Sequence, residues 1–258
     1  MNAHSFWMAY CRHRLLKPEP FHSFNAPPAP SAYMDLPTTN PQGAVKSKVD
    51  APELVAKRRS QFINAAIDLF GQHGYHVTTI REIAQAAKVS IGLIYQYVED
   101  KEDILFLALL TVLDTYAQEI PKALEGLEDP LERFRAAVHA YCHVNDSNAN
   151  ATVLAYRETK SLRKERRVAI QQKELDSNAL IAACIQDCID GGIFEKTIDI
   201  ELMTYQLVMF SHAWALKSWR FRGMMSVDAY VDRGLDLMLG PVLTVRGRRA
   251  YQRQRPVL

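Results

Sequence analysis

The segment Ser90-Ile91-Gly92-Leu93-Ile94-Tyr95-Gln96-Tyr97 concentrates groups able to read another molecule. If it is helical, Ile94 joins Ile83, Ala84, Ala87 and Val89 in a small core, leaving Ile91, Leu93, Gln96 and Tyr97 facing outward. Two aliphatic side chains in such a row are costly in water. In a DNA major groove they have partners, because they can meet thymine methyl groups while the Gln96 amide pairs with an adenine edge. Tyr95, Tyr97, Thr79 and Lys101 offer hydroxyl and ammonium donors suited to phosphates. The competing reading packs Ile91 and Leu93 on a neighbouring helix.

Such a reader needs short helices held at a fixed crossing. Phe62, Ile63, Ala66, Ile67, Leu69 and Phe70 recur at three-to-four-residue spacing and stop at Gly71-x-x-Gly74, which predicts a first helix from Glu53 ended by glycine. Thr79-Ile80-Arg81-Glu82 has the spacing of a capping box and starts a second helix, Ile80 to Ala87. Ser90 is a suitable N-cap for a third, Ile91 to Tyr97, and Asp100 for a fourth, Lys101 to Ile120. Two short helices around a three-residue turn make a helix-turn-helix. Further helices are expected near Pro130 to Val144, Ala151 to Leu162, Lys164 to Asp190, Asp199 to Phe221 and Val227 to Leu239, so the fold class is all-α.

Other clusters carry weaker chemistry. Between Tyr156 and Arg167, seven of twelve residues are basic or aromatic, and helical spacing places Tyr156, Lys160 and Arg163 near one face. A pocket mouth there would suit an anion; a solvated charged face is the competing reading. His139 and His143 lie four apart, as do Cys184 and Cys188, and each pair could supply two metal ligands. Two ligands do not make a site, so packing roles are expected and no metal is assigned. A Gly-rich phosphate loop, a nucleophile elbow and an HExxH motif are all missing, so neither catalysis nor a cofactor is expected.

With 258 residues and 48% apolar content the chain can bury a substantial core. Its net charge of +2 does not mark a nucleic-acid binder, so any DNA binding must come from local placement of charge. Eight of the twelve prolines fall in residues 1–52, which read as a flexible extension, with Met34 as an alternative start that would exclude residues 1–33. Residues 53–100 form the helix-turn-helix domain, 101–242 a larger helical domain, and 243–258, with five arginines, a basic tail. No stretch is long and continuously apolar enough to span a bilayer, and Cys11, Cys142, Cys184 and Cys188 lack the spacing of a disulfide framework. A cytoplasmic location without membrane attachment is expected.

Thr78-Thr79-Ile80-Arg81-Glu82-Ile83-Ala84, Val89 to Tyr97 and Lys101-Glu102-Asp103-Ile104-Leu105 together resemble the DNA-binding signature of the TetR family of transcription regulators. The likeness extends back through Phe70-Gly71-x-x-Gly74-Tyr75 and covers about fifty residues. It implies that Ser90, Ile91, Leu93 and Gln96 face bases or nearby backbone, and that Tyr95, Tyr97 and Lys101 meet phosphates. Thr78, Thr79 and Gly92 complete the DNA-facing set. Two departures stand out: Lys88 occupies a turn position where glycine is common, and Ile91 one where lysine is frequent.

The resemblance further implies a ligand-binding and dimerisation body, a homodimer through the last two long helices, and an operator released by a small-molecule inducer. Leu202, Tyr205, Val208, Met209, His212, Ala213, Leu216 and Trp219 form a stripe suited to that dimer, with Tyr230, Leu235, Leu237, Met238 and Leu239 beside it. Tyr156 to Leu162 is similar to the corresponding stretch of members whose inducers are acyl-coenzyme A thioesters. An acyl arm would then lie among Tyr141, Met209, Phe210 and Trp214, with Tyr156, Arg157, Lys160 and Arg163 near the phosphates. The alternatives are a helical protein-interaction module that no longer reads an operator, or a metal- or redox-responsive regulator.

Overall fold

The computed structural model describes residues 45–49 and 51–254. Among them are eleven α-helices: α1 (Pro52–His73), α2 (Ile80–Ala86), α3 (Ile91–Tyr97), α4 (Lys101–Ala123), α5 (Pro130–Ser147), α6 (Ala149–Glu158), α7 (Lys164–Asp190), α8 (Ile200–Leu216), α9 (Ser218–Phe221), α10 (Val227–Leu239) and α11 (Val245–Gln254). The predicted all-α class is what the chain adopts.

The expected punctuation operates at the atomic level. Gly74, at φ 90°, ends α1 and its N–H donates to the Phe70 carbonyl. Thr79 and Glu82 form the reciprocal capping box of α2, and the Ser90 hydroxyl accepts from the Leu93 N–H. Asp100 and Asp103 make a second capping box at the start of α4. These caps satisfy amide donors that have no partner inside their own helix.

Helices α1 to α3 close around Phe62, Ile63, Ala66, Phe70, Ile83, Ala84 and Ile94, all buried. Beneath them α4 runs from this head into the body, where it packs on α5, α6 and α7, and α1 also touches α6. Central to the body is α5, which contacts α4, α7, α8, α10 and α11. By length and composition α4 could cross a bilayer, but 61% of its most apolar window is buried inside this body, the behaviour of a core helix.

Several boundaries differ from the sequence reading. The expected helix from Asp199 to Phe221 breaks at Lys217 into α8 and α9. The basic tail expected over 243–258 folds over most of its length as α11, because Gly247, Ala250 and Tyr251 form a buried stripe opposite its arginines. A β-carbon on Gly247 would lie 2.1 Å from the Ile193 carbonyl oxygen, so only glycine permits that approach. Of the extension read over 1–52, residues 1–44 and 50 lie outside the described residues. Residues 45–49 dock on the head: Val45 is buried, and the Lys48 N–H donates to the Gln96 carbonyl at 2.8 Å.

Candidate DNA-reading surface and ligand cavity

The head presents Ser90, Gly92, Tyr95, Gln96 and Thr79 to solvent, with Tyr95 at 42% exposure. Ile91 and Leu93 are half-buried and pack against the core, so the two readings of these residues each hold in part. Lys46 and Lys48, which the sequence reading left in a flexible extension, lie beside Tyr95 and Gln96 and widen the basic edge of this surface. No periodic signal marks such short docked segments.

Three assigned residues sit differently from expectation. Tyr97 is buried, at 3% exposure, because it follows Ile94 by three residues and shares its inward face. Thr78 is also buried and donates from its hydroxyl to the Gly74 carbonyl at 2.8 Å. Lys101 directs its ammonium at the carbonyls of Tyr75, His76 and Thr78, at 2.9, 3.1 and 3.0 Å, with the Tyr75 ring 4.6 Å away. All three brace the reading surface from behind. Arg59, 7% exposed, ties α1 to the end of α3 by donating to the Tyr97 carbonyl at 3.2 and 3.0 Å, and it holds the Val45 carbonyl as well.

The turn between α2 and α3 departs from the ordinary in one respect: Lys88 has φ 56°, the left-handed region where a side chain crowds the backbone. Glycine removes that crowding at the cost of a more flexible unfolded chain. Lys88→Gly is therefore expected to stabilise the protein by about 0.5–1 kcal/mol. Urea unfolding checks this, with an unchanged slope and a raised midpoint expected.

A cavity of about 320 Å³ lies in the body between α4, α5, α6, α7 and α8. Leu109, Val112, Leu113 and Ile170 supply apolar wall, while Tyr116, Tyr141, Thr152, Tyr156, Gln171, Glu174 and His212 supply polar atoms. Tyr116 and Tyr141 stack with centroids 4.0 Å apart. The Tyr116 hydroxyl donates to Asn145 at 2.8 Å, and Tyr156 Oη meets His212 Nδ1 at 2.8 Å. A neutral His212 protonated on Nε2 fits this network, accepting from Tyr156 and facing the Tyr116 oxygen at 3.5 Å. Burial lowers its pKa to about 4, which keeps the ring neutral near pH 7. Burial likewise raises Glu174 above the ordinary carboxylate range.

Of the ligand-facing residues assigned from sequence, Tyr141 and Tyr156 line this cavity and Met209 adjoins it, its sulfur 3.3 Å from Tyr156 Oη. Trp214 does not: it is buried elsewhere and donates from Nε1 to Asp146 at 2.8 Å. Phe210 stacks on Tyr230 at 4.4 Å, away from the wall. Arg157 and Lys160 are exposed outside the cavity. Arg163 is engaged with the head, contacting Asp100 Oδ2 at 2.6 Å and Glu102 Oε2 at 2.9 Å. Tyr116, Thr152, Glu174 and His212 were not assigned to a ligand site from sequence, since helical period alone does not separate a cavity wall from solid core.

The cavity-lining helix α7 meets the head at the start of α4. Arg166 of α7 pairs with the buried Asp103 carboxylate, and its guanidinium lies 5.5 Å from the Phe106 ring. Arg163 pairs with Glu102 and Asp100, one and three residues earlier, so α7, which lines the cavity with Ile170, Gln171 and Glu174, is fastened to the helix that supports the reader.

Comparison with known proteins places these features in context. Residues 62–108 match the family described as bacterial regulatory proteins, tetR family, and residues 127–242 match a tetracyclin repressor-like C-terminal domain. The chain is 53% identical over 207 residues to the HTH-type transcriptional regulator HbdR of Aromatoleum sp. (strain CIB), an alignment covering 80% of this chain and 90% of that protein. Its fold is similar to that of the ketosteroid transcriptional regulator KstR2 of Mycobacterium tuberculosis, with TM-score 0.62 and 20% identity over 78% of this chain and 99% of that one. It is also similar to AibR, solved in complex with isovaleryl coenzyme A and operator DNA, with TM-score 0.60 and 18% identity over 70% of this chain and 97% of that one.

Proposed function

Because the chain belongs to the TetR family of transcriptional regulators, we propose that it is a repressor that binds a palindromic operator as a homodimer and releases it when a small-molecule inducer fills the body cavity. The observation that carries this reading is the fastening of a cavity-lining helix, α7, to the base of the reader through Arg163 and Arg166. A ligand that moves α7 or α4 reaches the head through these pairs. It shifts the equilibrium only by its unequal affinity for the two arrangements, typically about 1–3 kcal/mol of coupling.

The homodimer reading rests on an exposed apolar row. Leu202, Tyr205 and Met209 follow one face of α8, and Leu237 on α10 is 84% exposed, whereas Val208, His212, Tyr230, Leu235 and Leu239 from the same stripe are buried within the chain. A twofold dimer would pair such faces and set two heads on symmetric half-sites. Operator binding also supports action in the cytoplasm. His212 is engaged by the hydroxyls of Tyr116 and Tyr156 in the cavity wall, which favours a binding role.

For the inducer we favour an acyl-coenzyme A thioester, a ligand class named for AibR. The 320 Å³ cavity suits an acyl or ring-sized arm. The nucleotide end would lie outside, near Arg157 and Lys160. Calorimetry against a panel of acyl-coenzyme A thioesters, free acids and coenzyme A tests this. One thioester per chain is expected to bind and to lower operator affinity by roughly tenfold or more, within the usual range of coupling. Replacing Arg157 and Lys160 together with alanine should weaken the thioester and leave its free acid unaffected. Release by free acids alone would remove the thioester from the proposal, and operator affinity indifferent to every compound that binds would remove the coupling.

A further inference from the structure

We propose that His139, His143 and Asp228 form a binding site for one divalent transition-metal ion, zinc being the ion the donors suit best, which clamps α5 to α10. This proposal is independent of the operator and of the inducer. The two histidines lie four residues apart on α5, so their rings share one face, with centroids 6.5 Å apart. Sequence spacing stops at that pair. The fold adds the third donor, because the first turn of α10 brings Asp228 Oδ1 to 3.2 Å from His139 Nδ1 and 2.8 Å from His143 Nε2. The three donor atoms all lie within 4.8 Å of one another. An ion about 2.0–2.2 Å from each requires only small side-chain adjustments. His143 and Asp228 are about half exposed, which leaves an entry path and a fourth position for water.

A second observation points the same way. The other nitrogen of His139, Nε2, faces Asp232 Oδ1 at 3.2 Å, and Asp232 is itself held by Arg135 at 3.0 Å. Both ring nitrogens of His139 therefore face carboxylate oxygens. A cation between Nδ1 and Asp228 would bind the Nδ1 lone pair and that carboxylate together. Nε2–H can then donate to Asp232, which fixes the tautomer in the manner usual for metal-bound histidines. Two imidazoles and one carboxylate suit zinc and its first-row neighbours, whereas calcium and magnesium favour sets made of oxygen alone.

The test uses the untagged full chain, stripped with chelator and dialysed against zinc chloride. One zinc per chain is expected, together with a rise in melting temperature. Cobalt in place of zinc should give visible absorption bands. His143→Ala and Asp228→Asn, both at partly exposed positions, should abolish stoichiometric uptake, and Asp232→Asn should weaken it roughly tenfold to a hundredfold. His76→Ala, remote from the cluster, should bind as the parent does. Circular dichroism confirms that each variant is folded. The proposal is overturned if the parent takes up no zinc, or if a folded His139→Ala/His143→Ala variant takes it up equally well; the cluster is then an ordinary set of ion pairs between two helices.

Discussion

Replacing Asp103 with alanine is expected to lower stability by about 3 kcal/mol, the low end of the usual effect of breaking a buried pair, because Arg166 keeps Glu102 at 3.4 Å. Asp103 is 1% exposed and serves three partners at once. Its Oδ2 accepts from the Glu99 and Asp100 amides at 2.6 and 3.3 Å, and its Oδ1 pairs with Arg166. Alanine removes the Asp103 half of the capping box of α4 and leaves the mostly buried Arg166 guanidinium with only its longer pairs to Glu102 and Asp100, at 3.4 and 3.9 Å. Arg166→Met, made alone, should cost less, because the remaining carboxylate keeps its two amide donors. Changing both residues should cost less than the sum of the two single changes, since neither charge is then left alone. Urea unfolding of the four proteins measures this coupling. Arg166→Met should also weaken the communication between ligand and operator more than it weakens either binding event. Simple additivity in the cycle would mean that the pair does not join α7 to α4 energetically.

A second large effect is expected from acid. An unfolded histidine takes up its proton near pH 6.5, whereas His212 in the folded protein does so only near pH 4 because burial opposes the charge. Between those values the unfolded chain binds the extra proton, so stability rises with pH across the window and falls as acid is added. The contribution is fully present above about pH 6.5 and is lost progressively down to pH 4, by roughly 3 kcal/mol in total. His212→Asn keeps a polar side chain opposite Tyr156 and has no proton to gain. The difference in unfolding free energy between parent and variant should therefore slope with pH inside the window and level off above it. A difference independent of pH from 4 to 7 would show that the ring is not held neutral by its surroundings.

What the sequence made legible depended on whether the signal was local. The capping box at Thr79, the N-cap at Asp100 and the glycine stop at Gly74 involve residues within four positions of each other, and each forms as expected. The outward orientation of Tyr97 was misjudged although its spacing from Ile94 carried the answer; chemical suitability for phosphate was weighed above period. In α11 the arginine count similarly obscured a buried stripe of Gly247, Ala250 and Tyr251. The bracing role of Lys101 depends on a turn 23 to 26 residues away, and Trp214 finds its partner 68 residues away, so no local pattern announces either. Asp228 was invisible as a partner for His139 for the same reason, lying 89 positions further along.

The unbroken run of α4 limits how this protein can be recombined. A chimera that keeps residues 1–100 and takes everything after them from another sensor loses Glu102 and Asp103, whose carboxylates meet Arg166, Ile104, which is fully buried, and both arginines. Transplanting its DNA specificity to another sensor thus means carrying the first turns of α4 together with the complementary arginines, as a single cassette cut from two distant places in the chain.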